Sequence, residues 1–208
     1  MQFDPSAHRP RDAYRLMIDL ITPRPIAWVS TISGAGVVNL APYSFFNGVS
    51  ADPPTVAFSA VNRRDGTPKD TVRNVEENGG FVVNVATFDL REAMNATSEE
   101  VGYDVSELER CGLHAMPSER VLPPRVAEAK ASFECVLHQI VRVGEGPLAA
   151  NLVIGRIVLI HAADAVVRAD GTIDPEALDT IGRLGGSDYT RTRERFTLPR
   201  PDVRPPGK

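Results

Sequence analysis

The chain has 208 residues, 42% of them apolar and 24% charged, and a formal net charge of −4. That length suits one domain with its own core, and the mild acidity argues against general nucleic-acid binding or a polybasic membrane surface. Cys111 and Cys135 lack metal-ligand spacing and form no CxxC, Met1–Pro10 has no apolar run of a secretory kind, and no stretch is long enough to span a membrane, so a reduced, cytoplasmic compartment is expected.

Residues 1–12 are polar, contain Pro5 and Pro10, and read as an N-terminal arm before a domain over 13–198. Over 13–21, Tyr14, Met17 and Ile21 fall on one face of a short helix. Runs rich in Val, Ile and Phe, bounded by Gly, Pro, Asn or Asp, then predict strands at 26–33, 37–41, 55–61, 81–86, 132–143 and 152–167. Ser33-Gly34-Ala35-Gly36 reads as the hairpin turn joining the first two. The last two runs are long enough to bend and pair on both sides, as barrel strands do. Helices fill the gaps. Thr67 as N-cap, Pro68 at the first helical position and Asp70 three residues after Thr67 open one helix; Val72 and Val75 share a face, and Asn78-Gly79-Gly80 stops it. Others are predicted from Asp89 to about Ala96, over 106–110 with Gly112 as the stop, and from Asp174-Pro175 to Gly185-Gly186. The Pro-rich tail, 199–208, is expected to be extended or disordered. Strands dominate and helices are inserted without regular alternation, so the expected fold class is mainly β with inserted helices, a barrel rather than a doubly wound sheet.

Several familiar signatures are missing. No third glycine follows Gly34-Ala35-Gly36 at dinucleotide spacing, there is no P-loop or GxSxG, and His8, His114, His138 and His161 show no ligand spacing, so no metal site is expected. Three segments remain. Arg63–Thr71 gathers two arginines, a lysine and hydroxyls around a helix N-terminus, where free N–H groups and the helix dipole attract phosphate; the same residues also suit a solvated, well-capped helix start. Ala41–Pro54 leaves a strand with Ser44, Phe45, Phe46 and Asn47, offering backbone donors and apolar faces to a planar ring, or else forming a turn with both phenylalanines in the core. Arg183–Arg191 combines glycines, Tyr189 and arginines, as a ligand loop or as a helix C-cap and surface loop. Trp28 reads as core, and His161 as a hydrogen-bonded strand histidine or a catalytic candidate.

Taken together, Pro23-Arg24-Pro25-Ile26-Ala27-Trp28-Val29-Ser30-Thr31, Asn39–Asn47, Asp52-Pro53-Pro54, Lys69–Asn74, Phe81-Val82-Val83-Asn84, Val153-Ile154-Gly155-Arg156 and Arg183–Tyr189 resemble the flavin reductase-like family in order and spacing, over roughly residues 13–200. The resemblance implies an FMN-binding split β-barrel that pairs into a homodimer and holds FMN, less often FAD, near the dimer interface. It implies that Trp28, Ser30 and Thr31 line the ribityl and ring region, that Ser44, Phe45, Phe46 and Asn47 border the isoalloxazine, and that Ser59 faces it. Arg64, Lys69, Asp70, Thr71 and Asn74 would surround the phosphate. The implied chemistry is hydride transfer from NAD(P)H, a transient donor, to the flavin, with electrons passed to a partner oxygenase or other acceptor; the flavin carries that chemistry. Arg183 and Tyr189 would stand beside the reacting ring, with Gly185 and Gly186 leaving room for a planar ligand. Many short-chain members carry an Asp-His pair before the Ile-Gly-Arg strand, where this sequence has Leu148-Ala149-Ala150-Asn151. It looks more like the longer branch with an Arg-Leu-Gly-Gly-x-x-Tyr segment. Two other functions stay open: an FMN-holding electron carrier or binding protein with little nicotinamide activity, and a split-barrel protein that binds no flavin and serves a structural or ligand-sensing role.

Overall fold

A computed structural model describes residues 1–201. In chain order its elements are α1 (Pro10–Leu20), β1 (Ala27–Ile32), β2 (Val38–Tyr43), β3 (Phe46–Ala51), β4 (Pro54–Val61), α2 (Asp70–Asn78), β5 (Gly80–Val85), α3 (Arg91–Ala96), α4 (Glu107–Arg110), β6 (Ala115–Met116), β7 (Arg125–Val126), β8 (Ala131–Val143), β9 (Ala150–Ala162), α5 (Pro175–Leu178), β10 (Ile181–Arg183) and β11 (Tyr189–Arg191). Seven strands form one antiparallel sheet in the order β2-β1-β5-β8-β9-β4-β3. Its two outer strands are consecutive in the chain, separated only by Ser44 and Phe45. One run of backbone therefore leaves β1, turns at Ser44-Phe45 and joins β4, where the Ser59 N–H donates to the Phe45 carbonyl at 2.8 Å. The sheet is thereby rolled into a barrel whose seam lies at this bend.

Both faces of the inner strands are covered, which is why 26–33 and 81–86 read as continuous apolar runs. On β1, Ala27 and Val29 point into the barrel with Tyr43, Phe58, Phe81, Val153 and the α2 residues Val72 and Val75. Trp28 and Ile26 point outward against Leu40, Met94, Leu108 and Ile181. Gly155 of β9 sits where a Cβ would stand 2.3 Å from the Phe81 ring, so the ring packs directly on β9 backbone.

The sequence expectations differ from this fold in five places. The helix predicted over 13–21 begins at Pro10, so half of the expected arm is helical or in a single 3-10 turn at Pro5–Ala7. Thr67 does not cap α2: its hydroxyl and N–H both bond the Asp65 carboxylate, at 2.6 and 2.9 Å, and the helix starts after Lys69. Its predicted stop holds, with Gly79 at φ +68°. β3 was expected as a turn; it is an exposed edge strand, and its Asn, Gly and Ser residues carry no apolar alternation. The run 152–167 pairs only to Ala162. The helix from Pro175 ends at Leu178, because Asp179 takes φ +56° with its carboxylate held by Arg191 and Arg193, and a β10–β11 hairpin replaces the rest. Residues 199–201 are exposed and irregular, and the remainder of the Pro-rich tail lies outside the described residues. Among the described residues no helix is long and apolar enough to cross a membrane, no acidic, His or Cys cluster is placed to hold a metal, and both cysteines are free.

Candidate functional site

Two clefts meet at Pro42 and Ser98, which line both. The first runs past the start of α2, between Arg63, Lys69, Asp70 and Thr71 and the acidic side chains Glu99, Glu100 and Glu107. The second, about 420 Å³, is walled by Tyr14 and Ile18 of α1, Ser44 at the barrel seam, Met94 and Asn95 of α3, and Arg183 and Tyr189 of the β10–β11 hairpin.

In the first cleft both cations are engaged. Arg63 pairs with Asp70, and the Lys69 Nζ lies 3.7 Å from Glu100. Lys69 is the N-cap of α2 and makes no side-chain capping bond, so no side chain closes the positive end of that helix. Burial pushes the Glu107 carboxyl up, Asp70 adding to the rise, against the Leu40 N–H and Arg63, which draw it down. Behind the cleft, Thr71 Oγ1 accepts from Tyr43 Oη (2.8 Å) and Asn39 Nδ2 (2.9 Å), and Asn74 Nδ2 donates to Thr31 Oγ1 (3.0 Å).

The second cleft has no carboxylate in its lining. Arg24, only 5% exposed, donates to the Ile18 carbonyl at 2.6 Å, to those of Ile21 and Leu184, and to Ser44 Oγ at 3.4 Å. It thus ties α1, the seam and the hairpin together. The Arg183 guanidinium lies 4.4 Å over the Tyr189 ring and donates to the Gly186 carbonyl.

Of the residues expected around a flavin, Ser44, Phe45, Lys69 and Asp70 stand on or beside these clefts, and Arg183 and Tyr189 both line the second. Ser59 is half-buried on β4 with its backbone joined to Phe45. Others do not reach the clefts. Trp28, Ser30 and Thr31 have no exposed surface, and a side chain without accessible atoms offers no ligand contact in this chain. The Trp28 indole bonds Thr97, Ser30 bonds the Pro124 carbonyl, and Thr31 belongs to the network behind α2. Asn74 is likewise 1% exposed and lines neither cleft, whereas Thr71, also 1% exposed, lines the first; through that network both hold the helix on the sheet. Phe46 lines a neighbouring apolar cleft, Asn47 is exposed on β3, and Arg64 is exposed while Arg63 faces the site. His161 lies elsewhere: its Nε2 bonds the fully buried Glu134 at 2.6 Å, in a separate cleft with Arg125 and Lys130. Gly185 makes room for α1 rather than for a ligand, since a Cβ there would meet the Asp19 carboxylate at 1.8 Å.

Sequence reasoning gave no site role to Arg24, Ser98 or Glu107, and of the Arg63-Arg64 pair it placed only Arg64 around the phosphate. Arg24 and Arg63 sat inside segments that were singled out, and only the fold shows which arginine of a pair faces inward. Glu107 had the look of an ordinary first-turn helix acid, and the loop bearing Ser98 carried no signal.

The sequence profile described as "Flavin reductase like domain" matches residues 20–175. The chain belongs to the flavin reductase-like family. An uncharacterized protein of Halalkalibacterium halodurans is 42% identical over 205 residues, 98% of each chain. Among solved structures, nitrilotriacetate monooxygenase component B from Bacillus cereus is 38% identical with a TM-score of 0.90, over 95% of this chain and 98% of that one. The 2-nitrobenzoate 2-nitroreductase of Pseudomonas fluorescens is 29% identical with a TM-score of 0.88, over the full length of both. The split-barrel fold and the flavin reductase-like family make a flavin the group to test against the two clefts. They fit one: an uncapped helix terminus with two cations for a phosphate, a strand break supplying backbone groups, and an aromatic side chain in an acid-free cleft.

Proposed function

We propose that this flavin reductase-like protein is an NAD(P)H-dependent FMN reductase, a cytoplasmic homodimer that hands electrons to a partner oxygenase or another acceptor. The observation that carries the reading is the meeting of the two clefts at Pro42 and Ser98. One end would take a phosphate and the other is an aromatic chamber with two arginines, an arrangement that suits a long ligand with one phosphate end. Lys69, Arg63 and the open end of α2 would hold the phosphate, which must draw Lys69 from Glu100 and Arg63 from Asp70 to do so. The Ser44-Phe45 bend would present backbone groups to the ring. Bound flavin supplies acceptance of a hydride from the nicotinamide. This agrees with a second cleft lined by neither a carboxylate nor a histidine, since no protein acid or base is needed there. The Bacillus cereus relative is named as one component of a monooxygenase, which supports an oxygenase as the acceptor. Two free cysteines suit a reducing compartment.

The test is the visible spectrum of the purified protein with added FMN, followed anaerobically after NADH or NADPH. Flavin absorbance that bleaches within the catalytic time range is expected. Flavin held without bleaching would replace this reading with that of an electron carrier, and no FMN affinity would overturn both.

A further inference from the structure

The two halves of the groove differ in charge. The α2 half has Asp70, Glu99, Glu100 and Glu107 against Arg63 and Lys69. The half under α1 has Arg24 and Arg183 and no acid at all. Neither of these arginines forms an ion pair among the described residues. Arg24 is nearly buried and spends its donors on three backbone carbonyls and Ser44, so its charge acts at a distance. Arg183 bonds one carbonyl through Nη2 and stacks on Tyr189, leaving its other N–H groups without a protein acceptor. Apolar and aromatic side chains from Tyr14, Ile18, Ile26 and Met94 complete the cleft.

We propose that this cleft seats the second ligand of the flavin site, a molecule with an apolar, ring-sized body and a single carboxylate read by Arg183. The proposal rests on the reading that the α2 half takes the flavin phosphate. The flavin ring would fill part of the cleft's about 420 Å³, and such a ligand would stack on it in the remainder. One free guanidinium edge matches the fork of a carboxylate. A phosphate dianion would ask for more donors than one arginine offers.

Isothermal titration of the FMN-loaded protein with benzoate and with its neutral isostere benzamide tests this. Benzoate should bind on the order of tenfold or more tightly than benzamide. R183Q should erase that difference, R183K should restore part of it, and R168Q, which alters an arginine outside the cleft, should leave it unchanged. Equal affinities for benzoate and benzamide, or a preference that survives R183Q, would overturn the proposal. Tighter binding of adenosine 2′-monophosphate than of benzoate, lost in R183Q, would also overturn it by assigning the charge to phosphate. Titrating the protein without FMN separates the two readings. A benzoate preference in a protein that takes no FMN would sink the flavin reading alone, and FMN binding without that preference would sink this one alone.

Discussion

Lys69 stands at the positive end of a helix, yet its ammonium already has a neighbour in Glu100, 3.7 Å away and more than half exposed. A ligand phosphate therefore competes with a carboxylate, and each partner can be tested separately. Lys69→Ala should weaken FMN binding by about 1–3 kcal/mol, the range of a charge-assisted hydrogen bond, and leave riboflavin nearly untouched. Glu100→Gln should shift FMN the opposite way, to tighter binding, again sparing riboflavin. Fluorescence quenching titrations of both flavins read each result, and parallel changes for FMN and riboflavin would remove the phosphate from this end. Two other carboxylates govern acid stability. Burial pushes Glu134 up, but the Glu119 and Arg120 N–H groups and His161 outweigh it and hold the carboxyl below the ordinary glutamate range. Hydrogen bonds from Arg191 and Arg193 hold Asp179 far down against desolvation. Both folded values lie below the unfolded ones, so this stability is complete above about pH 5 and drains away as the pH falls through the carboxylate range. Chemical denaturation at a series of pH values should show a shallower acid limb in E134Q and in D179N than in the parent. At this scale the sequence told residue kind better than residue role. Lys69, Ser44, Arg183 and Tyr189 were legible because they sit in distinctive short segments. Thr31 and Asn74 lie in a buried network, and Thr71 reaches both that network and the first cleft, because the direction of a side chain is decided by strand and helix faces that a linear motif does not reveal.

Elements were legible where their periodicity was strong and both ends were marked. α2, β1, β5 and the long β8–β9 pair follow from apolar runs and glycine stops, whereas β3 and the β10–β11 hairpin do not. β3 is an exposed edge with little to bury, and the open end of the hairpin is held by Asp179 and its arginines, a contact between residues 12 and 14 apart. The glycine of Ile154-Gly155-Arg156 acquires its reason only in the fold. Gly155→Ala would drive a methyl group into the Phe81 ring, with Cys135 closing the other side at 3.3 Å. Overpacking of that kind costs about 1–3 kcal/mol, and the ring is fully enclosed with little room to yield. A fall in the denaturant midpoint at constant slope is expected; a variant as stable as the parent would mean that β9 shifts to make room.

For the whole molecule, the proposed homodimer has a direct test. Val49 on the open edge of β3 is exposed, as are Ile160 on β9 and Leu20 and Ile21 at the end of α1, and each is a position where a second copy would be sought. Light scattering of the FMN-loaded protein should give twice the chain mass, and a monomer that retains FMN would place the whole site within one chain. The faces two copies would share are set by the assembled barrel and not by any one segment, so the sequence suggests a dimer through resemblance alone. The seam at Ser44-Phe45 has one more implication. The strand that borders the ligand chamber is also the strand that closes the barrel, so its backbone cannot be redrawn without opening the fold. The chamber thus has a permanent floor, while its ceiling is built from α1, the β10–β11 hairpin and the Ser98 loop, none of which belongs to the seven-stranded sheet. Preference for a new acceptor is then a matter of exchanging ceilings over an unaltered floor, and a library confined to those three pieces would explore it without spending its members on misfolded barrels.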